Sequence, residues 1–234
     1  MSGLSQRQSP LGTIAQSLPR IRAILGNLEP TWHIRDAAGI TPAFLAQHGI
    51  TAMVWDVDGT LTLFHQAALA GAFPVLDAPG VRHAILSNAD EGRFRELGEI
   101  FPAMPVCKGY RIDGALRLRS LLHGRDSFDA STQARIGQPG VVPVRKPDGP
   151  LLRATVDLLG VDPSHAVMVG DQYFTDIAGA NLAGVRSIKV AAIGWQHLPP
   201  GIRFGQRVER LAYRVLHGAP RWEHPELPPP RQVR

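Results

Sequence analysis

The chain is almost without cysteine. Its one thiol, Cys107, can form no internal disulfide, and a tetrahedral cysteine zinc site is excluded. A reducing compartment fits this usage without being required by it. Long apolar runs are also missing. Nowhere do about 18 apolar residues follow one another, so no membrane-spanning helix is predicted. Residues 1–10 are polar and hold no apolar core of signal-peptide length. An aromatic–basic platform for single strands and a recognisable DNA-binding motif are both wanting, so no specific nucleic acid is expected.

Turn formers and positive charge are plentiful. Twenty-four glycines and twenty prolines in 234 residues imply many short loops rather than a helical bundle. An apolar content of 44% is enough for the core of one domain, with room for a small insertion. The formal charge of +5 favours anionic partners such as phosphates or lipid head groups.

The chain is organised around Met53-Val54-Trp55-Asp56-Val57-Asp58-Gly59-Thr60-Leu61-Thr62. Residues 51–55 read as a short buried strand bounded by Gly49 and Gly59. If that strand persists, its period of two puts Asp56 and Asp58 on one face. Two carboxylates so close repel unless one binds a proton or a cation lies between them. Magnesium is the usual partner of a few carboxylates plus a substrate phosphate. A calcium loop is excluded, because Leu61, Leu63 and Phe64 stand where further oxygen ligands belong. A plain surface turn stays open at this point.

Elsewhere strands and helices alternate. Residues 1–12 read as disordered. Ile14, Leu18, Ile21, Leu25 and Leu28 form a helical stripe with Arg20 and Arg22 off it, and Pro19 marks its start. A helix packed on the domain's own core is the simpler reading, and a basic helix on an anionic membrane surface is the alternative. Thr41 and Pro42 open a short helix that Gly49 stops. Residues 64–73 are read as a short helix, and 81–86 as a strand ending at Ser87-Asn88. Those two side chains suit an oxyanion site or a helix N-cap equally. A helix over 90–99 should turn Phe94 and Leu97 inward.

Residues 107–142 carry Arg111, Arg117, Arg119, Arg125 and Arg135 with weak periodicity, and read as an inserted, partly mobile excursion. Lys146-Pro147 precedes a helix over 150–159. A strand over 165–169 ends in Gly170-Asp171, with Asp176 five residues on. A strand over 185–190 follows, then a helix over 204–217 expected to turn Val208, Leu211 and Val215 inward. The tail from 219 is proline-rich and reads as disordered. The polar clusters all fall at the carboxyl ends of strands, where open α/β sheets bind ligands.

Four stretches in this order resemble the haloacid dehalogenase (HAD) superfamily of hydrolases. Asp56-Val57-Asp58-Gly59-Thr60 is similar to its first motif, Ser87-Asn88 to its second, Lys146-Pro147 to its third, and Gly170-Asp171 with Asp176 to its fourth. The resemblance implies an α/β fold: a three-layer Rossmann-like, mainly parallel sheet with helices on both faces and a small insertion between the second and third motifs. It would occupy 30–218, flanked by 1–29, a tail and amphipathic helix, and by 219–234.

The resemblance also implies a phosphatase with bound Mg2+ and a phosphoaspartate intermediate. Asp56 would be the nucleophile, Asp58 the acid and base, and Lys146 the offsetting cation. Ser87, Asn88 and Thr60 would serve the phosphoryl group. Asp56, Asp171 and the backbone carbonyl of Asp58 would hold the metal, with Asp176 behind them. Residues 170–184 resemble more narrowly the phosphatidylglycerophosphatase-type branch of subfamily IIIA. That branch implies a lipid phosphate as substrate and a cytoplasmic protein touching the inner face of the membrane. A soluble sugar or nucleotide phosphatase is the alternative, and a catalytically silent phosphate-binding module a further one.

Overall fold

The computed structural model describes residues 21–223. The disorder expected at 1–12 and, within the 219–234 tail, beyond 223, with Ile14 and Leu18 of the stripe, Pro19 and Arg20, lies outside these residues; the start of that tail is instead held on the fold, with Glu223 N donating to His33 O at 2.6 Å. In chain order the elements are α1 (Ile21–Leu25), β1 (Trp32–His33), α2 (Pro42–Gln47), β2 (Ala52–Trp55), β3 (Arg82–Leu86), α3 (Glu91–Ile100), β4 (Val106–Ile112), β5 (Ala115–Leu122), β6 (Arg125–Asp126), α4 (Ala130–Ala134), β7 (Val141–Val144), α5 (Gly149–Leu158), β8 (Ala166–Gly170), α6 (Ala178–Ala183), β9 (Arg186–Lys189) and α7 (Pro200–His217).

One nine-stranded sheet runs in the order β1-β9-β8-β2-β3-β4-β5-β6, with β7 also paired to β4. Pairings from β1 to β4 across this order are parallel, and those beyond β4 are antiparallel. The fold is therefore α/β with a mostly parallel sheet. After β2 the chain builds outward through β3 and β4. It later returns to lay β8 and β9 on the other side of β2. That reversal opens a crevice at the carboxyl end of β2.

Alternation along the strands makes two cores. Met53, Trp55, Ile85, Val167 and Val169 pack with Phe44 and Leu45 of α2 and Phe94 and Leu97 of α3. Ala52, Val54, Ala84, Leu86 and Met168 pack with Leu151, Leu152 and Val156 of α5. Both faces of the central strands are covered, which is why they read as unbroken apolar runs. A fully buried side chain such as Phe94 contributes roughly 1.5–3 kcal/mol. Local signals hold at the helix starts. Thr41 Oγ1 accepts from Phe44 N, and Asp148 accepts from Leu151 N.

Four expectations need correction. Residues 64–73 form no helix; they make a loop closed by a Thr62–Leu69 bridge, with His65 at φ +56° and Gly71 beyond it. The only helical turn nearby is Pro74–Asp77. The N-terminal stripe is turned: Ile24 and Leu28 are buried against Tyr173, Ile177 and Tyr213, while Ile21 is half exposed. This favours the core reading of that segment.

The excursion at 107–142 is ordered strand. Cys107 pairs with Leu86, and β4 then continues five residues, about 16 Å, past the end of β3. β5 and β7 flank it antiparallel, and β7 returns the chain to Lys146. Loose composition hid this flap because ion pairs hold it. Arg119 is buried and forks onto Asp126 at 2.5–3.1 Å, with Nη1 on Glu91 at 2.7 Å. The other arginines are exposed, and Arg135 pairs with Asp113 inside the flap.

The last correction concerns α7, which is inverted. Val208, Leu211 and Val215 face solvent, and Gln206, Glu209 and Tyr213 face inward.

Candidate active site

β2 delivers Asp56 to the crevice. Its backbone N–H continues the parallel ladder by donating to Val169 O at 2.9 Å. The chain then turns: Thr60, Leu61 and Thr62 all donate backbone N–H groups to Val57 O. Gly59 sits in that turn at φ +95°, and a Cβ there would meet Asp171 Oδ2 at 3.0 Å. Only glycine lets the loop pass so close to the carboxylate.

Lys146 arrives in the turn just after β7. Its Nζ lies 2.6 Å from Asp56 Oδ1 and 2.7 Å from Asp176 Oδ1, and all three side chains are buried. Asn88 anchors this lysine's backbone, accepting from Lys146 N at 2.8 Å and donating to Lys146 O at 3.1 Å. The N-cap of α3 is Asp90, which accepts from Arg93 N. Ser87 and Asn88 are thus not the cap, and the capping alternative for them is removed.

β8 delivers Asp171. Its Oδ2 accepts from Gln206 Nε2 of α7 at 2.6 Å, and its Oδ1 is buried without a partner. Asp176, in the π-turn Tyr173–Ile177, folds back so that Oδ2 accepts from Gln172 N at 3.0 Å. Among the described residues, Asp56, Asp171 and Asp176 offer carboxylate oxygens all within 4.8 Å of one another. The carboxylate of Asp58 does not join them. Its Oδ1 takes Arg93 Nη2 at 2.7 Å, His65 N at 3.0 Å and Thr62 Oγ1 at 3.5 Å. Thr60 is fully buried and its Oγ1 has no partner.

The electrostatics point to a cation. Burial raises Asp56 to about 7, with Asp176 and Asp58 adding repulsion and Lys146 opposing the shift. Burial also raises Asp171 well above the carboxylate range, aided by Asp56 and Asp176. Glu209 of α7, which accepts from Tyr173 N at 2.8 Å, is pushed to about 7 by burial. Four buried carboxylates thus face two buried lysines, Lys146 and Lys189. The formal excess of two negative charges, together with the orphaned Asp171 oxygen, fits a hard divalent ion such as Mg2+.

Gly170 is the tightest point. A Cβ on it would lie 2.2 Å from Asp176 Oδ2. Gly170→Ala should displace Asp176 and with it one of the two anchors of Lys146. Turnover is expected to fall about 100-fold, the usual cost of a misplacement near 1 Å. Kinetics beside a thermal melt would check this, and an alanine variant of normal turnover would show that Asp176 has no positioning role.

Sequence reading missed Arg93, Gln206 and Glu209. Each meets the site through a contact far along the chain, and only Arg93 carried a local sign, at the start of a helix following Asp90.

The comparisons agree with this geometry. Residues 143–192, which hold Lys146, Asp171 and Asp176, match the family described as HAD-hydrolase-like. The bovine haloacid dehalogenase-like hydrolase domain-containing protein 3 is 26% identical over 195 residues, covering 79% of this chain and 74% of its own. The probable phosphatase YqeG of Bacillus subtilis is 23% identical over 202 residues, 83% of this chain and 95% of its own. A phosphoserine phosphatase of Thermus thermophilus is 47% identical over a 51-residue stretch, 22% of this chain and 20% of its own. With the lysine-bridged acidic cluster at the carboxyl edge of a mostly parallel sheet, these matches make the chain similar to HAD-like hydrolases.

Proposed function

We propose that the protein is a magnesium-dependent phosphomonoesterase that forms a phosphoaspartate on Asp56. The observation that carries this is Lys146 Nζ bridging Asp56 and Asp176 beside Asp171 in one buried cluster. Phosphate esters resist anionic attack because both partners are negative. Asp56, Asp171 and the backbone carbonyl of Asp58 would hold Mg2+, which supplies charge neutralisation between nucleophile and phosphoryl oxygens. Asp176 keeps Lys146 in place from behind.

The residues divide the remaining work. Asp56 attacks phosphorus, and Lys146 offsets the negative charge of both. Asp58 gives the departing ester oxygen a proton and later takes one from the attacking water. Its three hydrogen bonds all fall on Oδ1, which leaves Oδ2 for that exchange. Ser87, the Asn88 backbone amide and the unpartnered Thr60 hydroxyl are donors for phosphoryl oxygens.

For the substrate we favour a lipid phosphate of the phosphatidylglycerophosphate kind, with the protein at the cytoplasmic face of a membrane, as in the subfamily IIIA branch. The form of the flap supports this reading. It carries β4 past the carboxyl end of β3 as a layer of strands and adds no separate domain, which suits a bulky head group. The stretch 47% identical to a phosphoserine phosphatase favours a small soluble ester as the second reading. Among the described residues no helix is long and apolar enough to cross a membrane, so contact would be peripheral. A panel of phosphate esters, with lipid phosphates dispersed in detergent, decides between them. Preference for the lipid ester by kcat/KM is the expected result, and turnover of soluble esters alone would end the lipid reading.

A further inference from the structure

Helix α7 carries three rows at helical spacing. Gln206, Glu209 and Tyr213 face the protein. Phe204, Val208, Leu211 and Val215 lie on the opposite side at spacings of four, three and four, and are exposed by 66%, 42%, 64% and 75%. Arg203, Arg207, Arg210 and Arg214 follow the same spacing one residue earlier, so they line one flank of the apolar row. The helix has a single acidic residue, Glu209, and it points inward. Everything that α7 presents to solvent beside the apolar row is therefore uncharged or, apart from the terminal His217, an arginine. The guanidiniums of Arg203, Arg207 and Arg210 also gather at 5.2–6.0 Å over the ring of Trp195, which concentrates the charge next to an amphipathic aromatic.

Four large apolar side chains in one row of a helix, with Leu216 exposed beside them, demand an explanation, since a scattered exposed residue would not be ordered in register. From the charge on its flank, we infer that α7 docks on an anionic lipid bilayer, with the apolar row sunk at the head-group boundary and the arginines on lipid phosphates. A second copy of the chain is a poorer occupant, because a symmetric contact would bring two arginine rows together. The chain's own ends are poorer as well. Residues 1–20 hold Arg7 and Arg20 and no acid, and residues 224–234 hold Glu226 against Arg231 and Arg234. Neither could neutralise the row.

The same helix places Gln206 on Asp171, so a bilayer on its outer face would lie beside the acidic cluster. The surface deepens the lipid-phosphate reading, yet its binding step holds without it. The test uses the full chain, with no metal and no ester, sedimented with vesicles of phosphatidylcholine alone or mixed with phosphatidylglycerol. Binding is expected to the anionic vesicles only, and to weaken as salt screens the arginines.

Leu211→Glu with Val215→Glu should lower vesicle binding at least ~10-fold, since burying two charges at the boundary outweighs the lost apolar contact. Its turnover of a soluble aryl phosphate should match the parent, which shows an intact fold. Arg207→Gln with Arg214→Gln leaves the apolar row untouched and should also bind less, with a shallower salt dependence. Failure of the parent to bind anionic vesicles, or undiminished binding by both double variants, overturns the proposal. So does a solution dimer that the glutamate variant dissociates, for that gives the face to a second copy. Vesicle binding with hydrolysis of soluble esters alone would end the substrate reading and leave the docking surface standing.

Discussion

Replacing Asp56 by asparagine should lower turnover by at least ~10³, as loss of a covalent nucleophile does. The amide keeps the shape and removes the attacking charge. The site should otherwise hold together. Lys146 retains Asp176 at 2.7 Å, and Asn88 still clamps the lysine's backbone on both sides. Asp56 also has no structural task that an amide could not take over, since its neighbours in β2 and β8 are joined by backbone bonds. The loss should therefore appear in kcat, with KM little changed. A rapid-quench experiment on the parent should trap phosphate on the protein in an acid-stable, hydroxylamine-sensitive form, and the variant should trap none. A purified Asp56→Asn protein with near-parental turnover would falsify the covalent route. It would leave Asp171 and Asp176 to activate water directly.

Asp56 was legible because it follows an apolar run that both faces of the sheet bury. Met53 and Trp55 supply one core and Ala52 and Val54 the other, so the run has no polar face to blur it. Lys146 and Asp171 were legible for a related reason. Each comes at the end of an extended segment, beside a proline or glycine that fixes the turn. Helix α7 shows where such reading fails. Its apolar row has good helical period, and period alone names a face without saying which way it points. The inward row is Gln206, Glu209 and Tyr213, polar groups whose partners are Asp171, the backbone N–H of Tyr173 and Glu29. Nothing local to 200–217 announces those partners.

The flap escaped for the same kind of reason. Lys108 and Arg119 are buried on Glu91, a residue of α3. A strand whose inward side chains are cations looks like a solvated loop until its counter-ion is found. Asp58 gave a mixed result. The motif put it beside Asp56, but the strand ends at Trp55, so the shared face expected from a period of two is not formed. Arg93 decides where its carboxylate goes.

Removing the metal should abolish turnover, and the protein's stability should report the loss independently of activity. Without a cation, burial holds Asp56 and Glu209 near 7 and raises Asp171 as well. An unfolded carboxyl titrates near ~4. Over the window from about 4 to 7 the folded chain then binds more protons than the unfolded one, so its stability falls as pH rises. The metal-free protein should melt higher at pH 5 than at pH 8. A divalent ion favours the ionised carboxylates and binds only the fold, which adds about 2.7 kcal/mol at a hundredfold excess over Kd. Magnesium should accordingly raise the melting temperature much more at pH 8 than at pH 5. Asp171→Ala should lose both turnover and this increment, although Lys146, Asp56 and Asp176 remain in place. Chelated parent that keeps full activity, or a melting temperature at pH 8 unmoved by magnesium, would take the metal out of the site. The excess charge of the cluster would then have to be met by protons, which burial already favours on Asp56 and Asp171.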